Sequence, residues 1–139
     1  MKLVFADTFY WVAVFNKRGE WHDRVQQYAE TLKQVHLLTT DEVLTEVLTF
    51  FAAYGARRRH KTVARVQEIL SNTRIQVIQQ SRESFLAGLD LYAKRLDKEY
   101  SLTDCISMQV MRQLGITDVL TRDRHFTQEG FTILFNENA

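Results

Sequence analysis

Short apolar runs alternate with stretches of helical periodicity along this chain, and that alternation does most to narrow the folds open to it. Leu3-Val4-Phe5-Ala6 reads as a buried strand ending at Asp7, and a helix from Thr8 carries Phe9, Trp11, Val12 and Phe15. Gly19 breaks that helix before Trp21, Val25, Tyr28, Ala29 and Leu32 resume the spacing of a helix face. Further strands are expected at Val35 to Thr39, Ile75 to Ile78, Val119 to Thr121 and Phe131 to Phe135. A capping box of Thr39 and Glu42 predicts a helix running to Tyr54 with Val43, Leu44, Val47, Leu48, Phe50 and Phe51 along one arc. Gly55 and the basic run after it predict a turn, and another helix covers Thr62 to Leu70. Ser81 and Ser101 each head a further helix. The first carries Phe85, Leu86, Leu89, Tyr92 and Leu96 on one side, and the second is apolar around most of its circumference up to Gly115. Such an order implies the α/β class, with a parallel sheet and helices on both faces. Ligands of such sheets bind beyond the carboxyl ends of the strands.

The chain has 139 residues, no proline, five glycines and no linker-like stretch, so a single domain over residues 1–139 is expected. A formal net charge of +1 excludes a strongly basic nucleic-acid wrapper but not a local basic patch. The lone Cys105 cannot form an intrachain disulfide and suits core packing. A charge at Asp7 comes too early for a signal peptide, and no apolar run could span a bilayer, so a cytoplasmic protein without membrane association is expected.

Asp7, Glu46, Asp104 and Asp123 each fall where a predicted strand ends or a helix is in its first turns. Each has an ordinary structural role open to it: an N-cap for Asp7, a solvated boundary position for Glu46, a reciprocal cap with Ser101 for Asp104, and a turn aspartate for Asp123. Gathered at one sheet edge, however, they repel and need a cation. Oxygen donors alone suit Mg2+ or Mn2+. The four histidines show no zinc-like spacing, and His125, near Asp123, reads as a surface residue.

Four pieces carry a family resemblance: Val4-Phe5-Ala6-Asp7-Thr8, Thr45-Glu46-Val47-Leu48, Ser101-Leu102-Thr103-Asp104-Cys105-Ile106-Ser107 and Leu120-Thr121-Arg122-Asp123-Arg124-His125-Phe126. The pattern resembles the PIN domain, a fold of metal-dependent nucleases, and in particular the bacterial group that includes virulence-associated protein C toxins. The resemblance implies a parallel sheet of about five strands. It also implies an acidic pocket of Asp7, Glu46, Asp104 and Asp123, supported by hydrogen bonds from Thr8 and Thr121. Under it, Mg2+ or Mn2+ is the expected cofactor and RNA the expected substrate. Cleavage leaves a 5′-phosphate, and the expected partners are a second copy of the chain and, for toxin members, an antitoxin. Asp7 and Asp104 are expected as direct metal ligands, with Glu46 binding metal or orienting the attacking water.

Arg122 and Arg124 flank Asp123 and are placed to touch a substrate backbone. Arg57-Arg58-Arg59-His60-Lys61 is either a solvated helix end, favoured by the helix dipole, or a phosphate-contacting patch. Phe9, Tyr10 and Trp11 suit the core better than base stacking. A non-catalytic RNA-binding or protein-interaction domain on the same fold is the alternative. A phospho-accepting receiver is disfavoured, because Ile75 to Ile78 ends in Gln79-Gln80 and no lysine follows Lys98.

Overall fold

The structure, a computed structural model, describes residues 2–135, so both ends of the expected 1–139 domain lie outside the described residues. Five parallel strands form one sheet in the order β3-β2-β1-β4-β5. They are β1 (Lys2–Ala6), β2 (Val35–Thr40), β3 (Ile75–Ile78), β4 (Asp118–Leu120) and β5 (Thr132–Ile133). The helices are α1 (Thr8–Phe15), α2 (His22–Glu30), α3 (Asp41–Phe50), α4 (Ala56–Ser71), α5 (Arg82–Lys94), α6 (Leu102–Leu114) and α7 (His125–Gln128).

Strand β1 is central because it is the most apolar: Val4, Phe5 and Ala6 are fully buried, with Phe5 registered against Leu38 of β2 and Val119 of β4. From β1 the chain builds outward to β2 and β3, then crosses back to β4 and β5 on the other side. Right-handed crossovers running in opposite directions place their helices on opposite faces of the sheet. The strand order therefore reverses between β1 and β4, which opens a crevice beyond their carboxyl ends.

Several local expectations change in the structure. The cap of α3 is Thr40, whose hydroxyl accepts from the Val43 N–H at 3.1 Å. Thr39 instead stays in the strand, buried, and donates to the Ala6 carbonyl while accepting from Trp11 Nε1. Helix α3 ends at Phe50, and Ala52–Tyr54 form a single 3-10 turn. Its buried face is narrower than the sequence arc: Val43, Leu44, Val47 and Phe51 are buried, whereas Leu48, Phe50 and Tyr54 are exposed. The basic run after Gly55 is no turn. It forms the first turns of α4, which starts six residues before the expected Thr62. Phe85, Leu86, Leu89, Tyr92 and Leu96 of α5 and its C-terminal flank are exposed, and the face that packs on α6 centres on Gly88 and Leu91. Tyr10 and Trp11 are buried in the core, and Phe9 packs edge-on against Trp21.

Helices α5 and α6 approach closely at Gly88. A Cβ there would lie 2.4 Å from Ile106 Cγ1 and 3.1 Å from the Ile106 backbone nitrogen. The ends of α5 and α6 are also tied to the segment after α7. Glu129, with its side chain 4% exposed, accepts from Arg95 Nε at 2.8 Å, Arg112 Nη2 at 2.8 Å and the Tyr100 hydroxyl at 2.9 Å. Burial alone would raise the Glu129 pKa, but these donors outweigh it and hold the carboxyl at about 2. The clamp is thus charged at every pH at which the protein would work.

Replacing Gly88 with valine should force α5 away from α6 and destabilise the protein by about 2 kcal/mol, in the range of core overpacking. Urea unfolding of the variant and the parent measures the difference, and equal midpoints would refute the close approach.

Candidate metal and active site

The crevice between β1 and β4 is where the acidic residues meet. Asp7 follows β1 directly, and its backbone N–H donates to the Leu120 carbonyl at 3.4 Å. This contact brings the ends of β1 and β4 together, so that the Thr121 hydroxyl donates to Asp7 Oδ2 at 3.0 Å. Thr121 is fully buried and its Oγ1 also accepts from the Asp123 N–H at 3.1 Å. One threonine thereby fixes the Asp7 carboxylate and the Asp123 backbone. Asp7 is the N-cap residue of α1, yet its side chain makes no capping hydrogen bond to the helix and remains available to the crevice.

Glu46 reaches the same place from α3. The Thr8 hydroxyl, in the first turn of α1, donates to Glu46 Oε1 at 2.5 Å. Asp104 arrives at the head of α6 through a capping box: Ser101 Oγ accepts from the Asp104 N–H, and Asp104 Oδ2 accepts from the Ser101 N–H at 3.1 Å. The structural role open to Asp104 and its place in the cluster are therefore both occupied.

Electrostatics show how close the groups are. Asp7 is pushed up to about 7, first by burial and then by the negative charge of Asp104, with Glu46 adding to it; the Thr8 backbone and the Thr121 hydroxyl pull the other way. Asp104 is also raised, chiefly by burial, and further by the charges of Asp123 and Glu46. All four carboxylates are linked by these repulsions, and no lysine or arginine forms an ion pair with any of them among the described residues.

The sequence pattern casts His125 as a surface residue, whereas the structure puts it in the cluster. Its Nδ1 is buried without a hydrogen-bond partner, 3.3 Å from Asp123 Oδ1 and 3.6 Å from Asp104 Oδ2. One donor atom each from Asp104, Asp123 and His125 lies within 4.8 Å of the others. The signal available in the sequence is its offset of two from Asp123, where the His125 N–H donates back to Asp123 Oδ1 at 2.9 Å. Four mutually repelling carboxylates and an orphaned buried nitrogen fit a divalent cation.

Beside Glu46 a cavity of about 470 Å³ is lined by Thr8, Thr45, Thr49, Phe50, Gln80 and Thr103, among others. Arg122 and Arg124 are exposed next to Asp123, with the Arg122 guanidinium 4.6 Å over the Trp21 ring. Arg57 and Arg58 are not part of the cluster; they line a separate cleft at the start of α4.

Comparison with known proteins places the chain among related folds and sequences. The PIN domain family model matches residues 4–131. The chain is 26% identical over 137 residues to the 23S rRNA-specific endonuclease VapC20 of Mycobacterium tuberculosis, covering 93% of this chain and 95% of that protein. The crystal structure of that sarcin-ricin loop cleaving toxin superposes with a TM-score of 0.82 at 23% identity, over 93% of this chain and 96% of the other. VapBC2 from Rickettsia felis, bound to a promoter DNA fragment, gives 0.69 at 17% identity over 96% and 98%. A toxin–antitoxin complex from Klebsiella pneumoniae gives 0.64 at 14% over 95% and 96%. No helix among the described residues is long and apolar enough to cross a membrane.

Because the folded state raises the Asp7 pKa from 3.8 to about 7, it favours the protonated carboxyl. The contribution of Asp7 to stability is therefore present below the unfolded pKa and lost as pH rises toward 7. Asp7→Asn should raise the melting temperature in chelator at pH 8 and change it little at pH 4. An equal shift at both pH values would show that Asp7 is not held against its charge.

Proposed function

We propose that this chain, which belongs to the PIN domain family, is a divalent-metal-dependent endoribonuclease that acts as the toxin of a toxin–antitoxin pair. The observation that carries the reading is the convergence of Asp7, Glu46, Asp104 and Asp123 at the switch point of the sheet, with Asp7 driven up to about 7 by burial and its neighbours. A scaffold that holds like charges this close is built for a counter-cation.

Asp7, Glu46, Asp104 and Asp123 would hold Mg2+ or Mn2+. Such an ion supplies neutralisation of the phosphate's charge and a lowered pKa for a nucleophilic water. Thr121 orients Asp7 and Thr8 orients Glu46, so neither carboxylate needs the ion to find its rotamer. Glu46 faces the cavity next to the cluster and is the group placed to receive a proton from an attacking water. Arg122 and Arg124 stand at the rim to contact phosphates of the bound strand. In this reading the bond broken is P–O3′, which leaves a 5′-phosphate.

RNA as substrate is supported by the likeness to the 23S rRNA-specific endonuclease, and a proteinaceous antitoxin by the toxin–antitoxin complex that shares the fold. A homodimer is supported by the exposed apolar residues Phe85, Leu86, Leu89, Tyr92 and Leu96 along and just beyond α5, a patch that a monomer would leave in water.

The protein should cleave RNA with Mg2+ or Mn2+ and stop when a chelator is added. Asp104→Asn keeps an oxygen to accept from Ser101 N–H while removing the charge, and should slow cleavage at least about a hundred-fold, consistent with the several kcal/mol a bound ion contributes. Mn2+ should also raise the melting temperature of the parent but not of this variant. Parental cleavage by Asp104→Asn would refute the role given to the cluster.

A further inference from the structure

The basic run from Arg57 onward sits where a helix tolerates cations least. It forms the first turns of α4, whose dipole is positive at that end. The α4 N-cap is Gly55, which offers no side-chain cap, and no acidic residue stands in the first turn. Helices α3, α5 and α6, by contrast, each begin with a hydroxyl cap and at least one acidic residue.

The cations are gathered rather than dispersed. Lys17 and Arg18, just after α1, meet Arg57, Arg58, Lys61 and Arg65 of α4 around a cleft of about 630 Å³ that no carboxylate lines. Two of the six have structural duties. Arg58 donates to the Phe15 carbonyl at 3.2 Å and lies over the Phe51 ring; Arg65 lies over the Phe15 ring and 3.6 Å from Glu68. Lys17, Arg18, Arg57 and Lys61 are exposed and make no ion pair among the described residues. Four unpaired cations around a helix start call for an anion with several charges.

An aromatic pair joins this cleft to the acidic crevice. Phe50 lines the cavity shared with Thr8 and Glu46. Tyr54 stacks on Phe50, with ring centroids 5.7 Å apart at 29°, and lines the basic cleft. Both rings are about half exposed, at 44% and 54%. The distance is short: α1 spans from Thr8 at the crevice to Phe15 at the cleft, about 10 Å for seven steps of 1.5 Å.

We propose that the cleft of Lys17, Arg18, Arg57 and Lys61 holds the phosphates of single-stranded RNA next to the cut, with Phe50 and Tyr54 stacking the bases between. The inference rests on the nuclease reading and adds to it the course of the strand. Phosphates at regular spacing satisfy several separated cations, and exposed stacked rings offer base faces a platform. An acidic peptide would use the cations but leave the rings without a partner.

Fluorescence anisotropy of a labelled single-stranded RNA of mixed sequence tests it, with chelator present so that nothing is cut. Arg57→Glu with Lys61→Glu should weaken binding more than about ten-fold and lower the slope of log affinity against log salt by about 1.4, or about 0.7 for each phosphate that is no longer neutralised. Tyr54→Ala should weaken binding about ten-fold with the slope unchanged. Lys33→Glu with Lys94→Glu, the same change in net charge elsewhere on the surface, should leave affinity within about two-fold. The milder pair Arg57→Gln with Lys61→Gln serves if the reversal perturbs folding, which thermal unfolding reports. Unchanged affinity and slope in the cleft variants would overturn the proposal and give the cleft to an acidic protein. Stabilisation by Mn2+ is read on the same variants. If it persists while RNA affinity does not respond, the cleft assignment alone falls. If RNA affinity responds but neither ion stabilisation nor cleavage is found, the nuclease reading alone falls.

Discussion

Carboxylates placed close together in a poorly solvated crevice repel, and the scaffold must hold them without help from their own chemistry. Three kinds of bond do this. The parallel pairing of β1 with β4 brings Asp7 to Thr121, a hydroxyl from α1 fixes Glu46, and the capping box of α6 aims Asp104. Each uses a neutral donor. An arginine or lysine in their place would have relieved the repulsion and abolished the demand for a cation. The raised pKa of Asp7 follows from that arrangement, which gives up stability at neutral pH.

The opposite arrangement appears on the far side of α6. Glu129, its side chain 4% exposed, accepts from two guanidinium groups and a phenol and is held at about 2. Two carboxylates in one small domain thus depart from their ordinary range in opposite directions. Burial pushes both up, but the donors around Glu129 outweigh it, whereas the like charges around Asp7 add to it. Glu129 anchors α5, α6 and the end of α7, and Tyr100 also packs its ring 5.1 Å from His125. The clamp thereby steadies the helix that carries Asp104 and the turn that carries Asp123.

Charge is also segregated along the surface. The acidic crevice opens at the carboxyl ends of the strands, and the densest basic cluster surrounds the start of α4. A net charge of +1 conceals both. A polyanion would be drawn by the basic cleft and would enter the acidic crevice only with cations there to receive it.

Hydrophobic periodicity was enough to reveal the five strands, their alternation with helices and the α/β class, because burial on both faces of a parallel sheet writes continuous apolar runs into the sequence. The positions of Asp7, Asp104 and Asp123 were legible for the same reason, each lying at the end of such a run or at a capping motif. Other features were not. Thr40 replaced Thr39 as the α3 cap because Thr39 was claimed by the Ala6 carbonyl from across the sheet. The α3 arc narrowed, and the basic run became a helix start, because packing and not propensity set those boundaries. His125 joined the cluster only because β1–β4 pairing and the head of α6 converge there. The sequence by itself determined which residues could be strands, caps and ligands, since those depend on near neighbours along the chain. Which of them meet was decided by the tertiary structure alone, because Asp7 and Thr121 stand 114 residues apart and are joined only through the sheet between them.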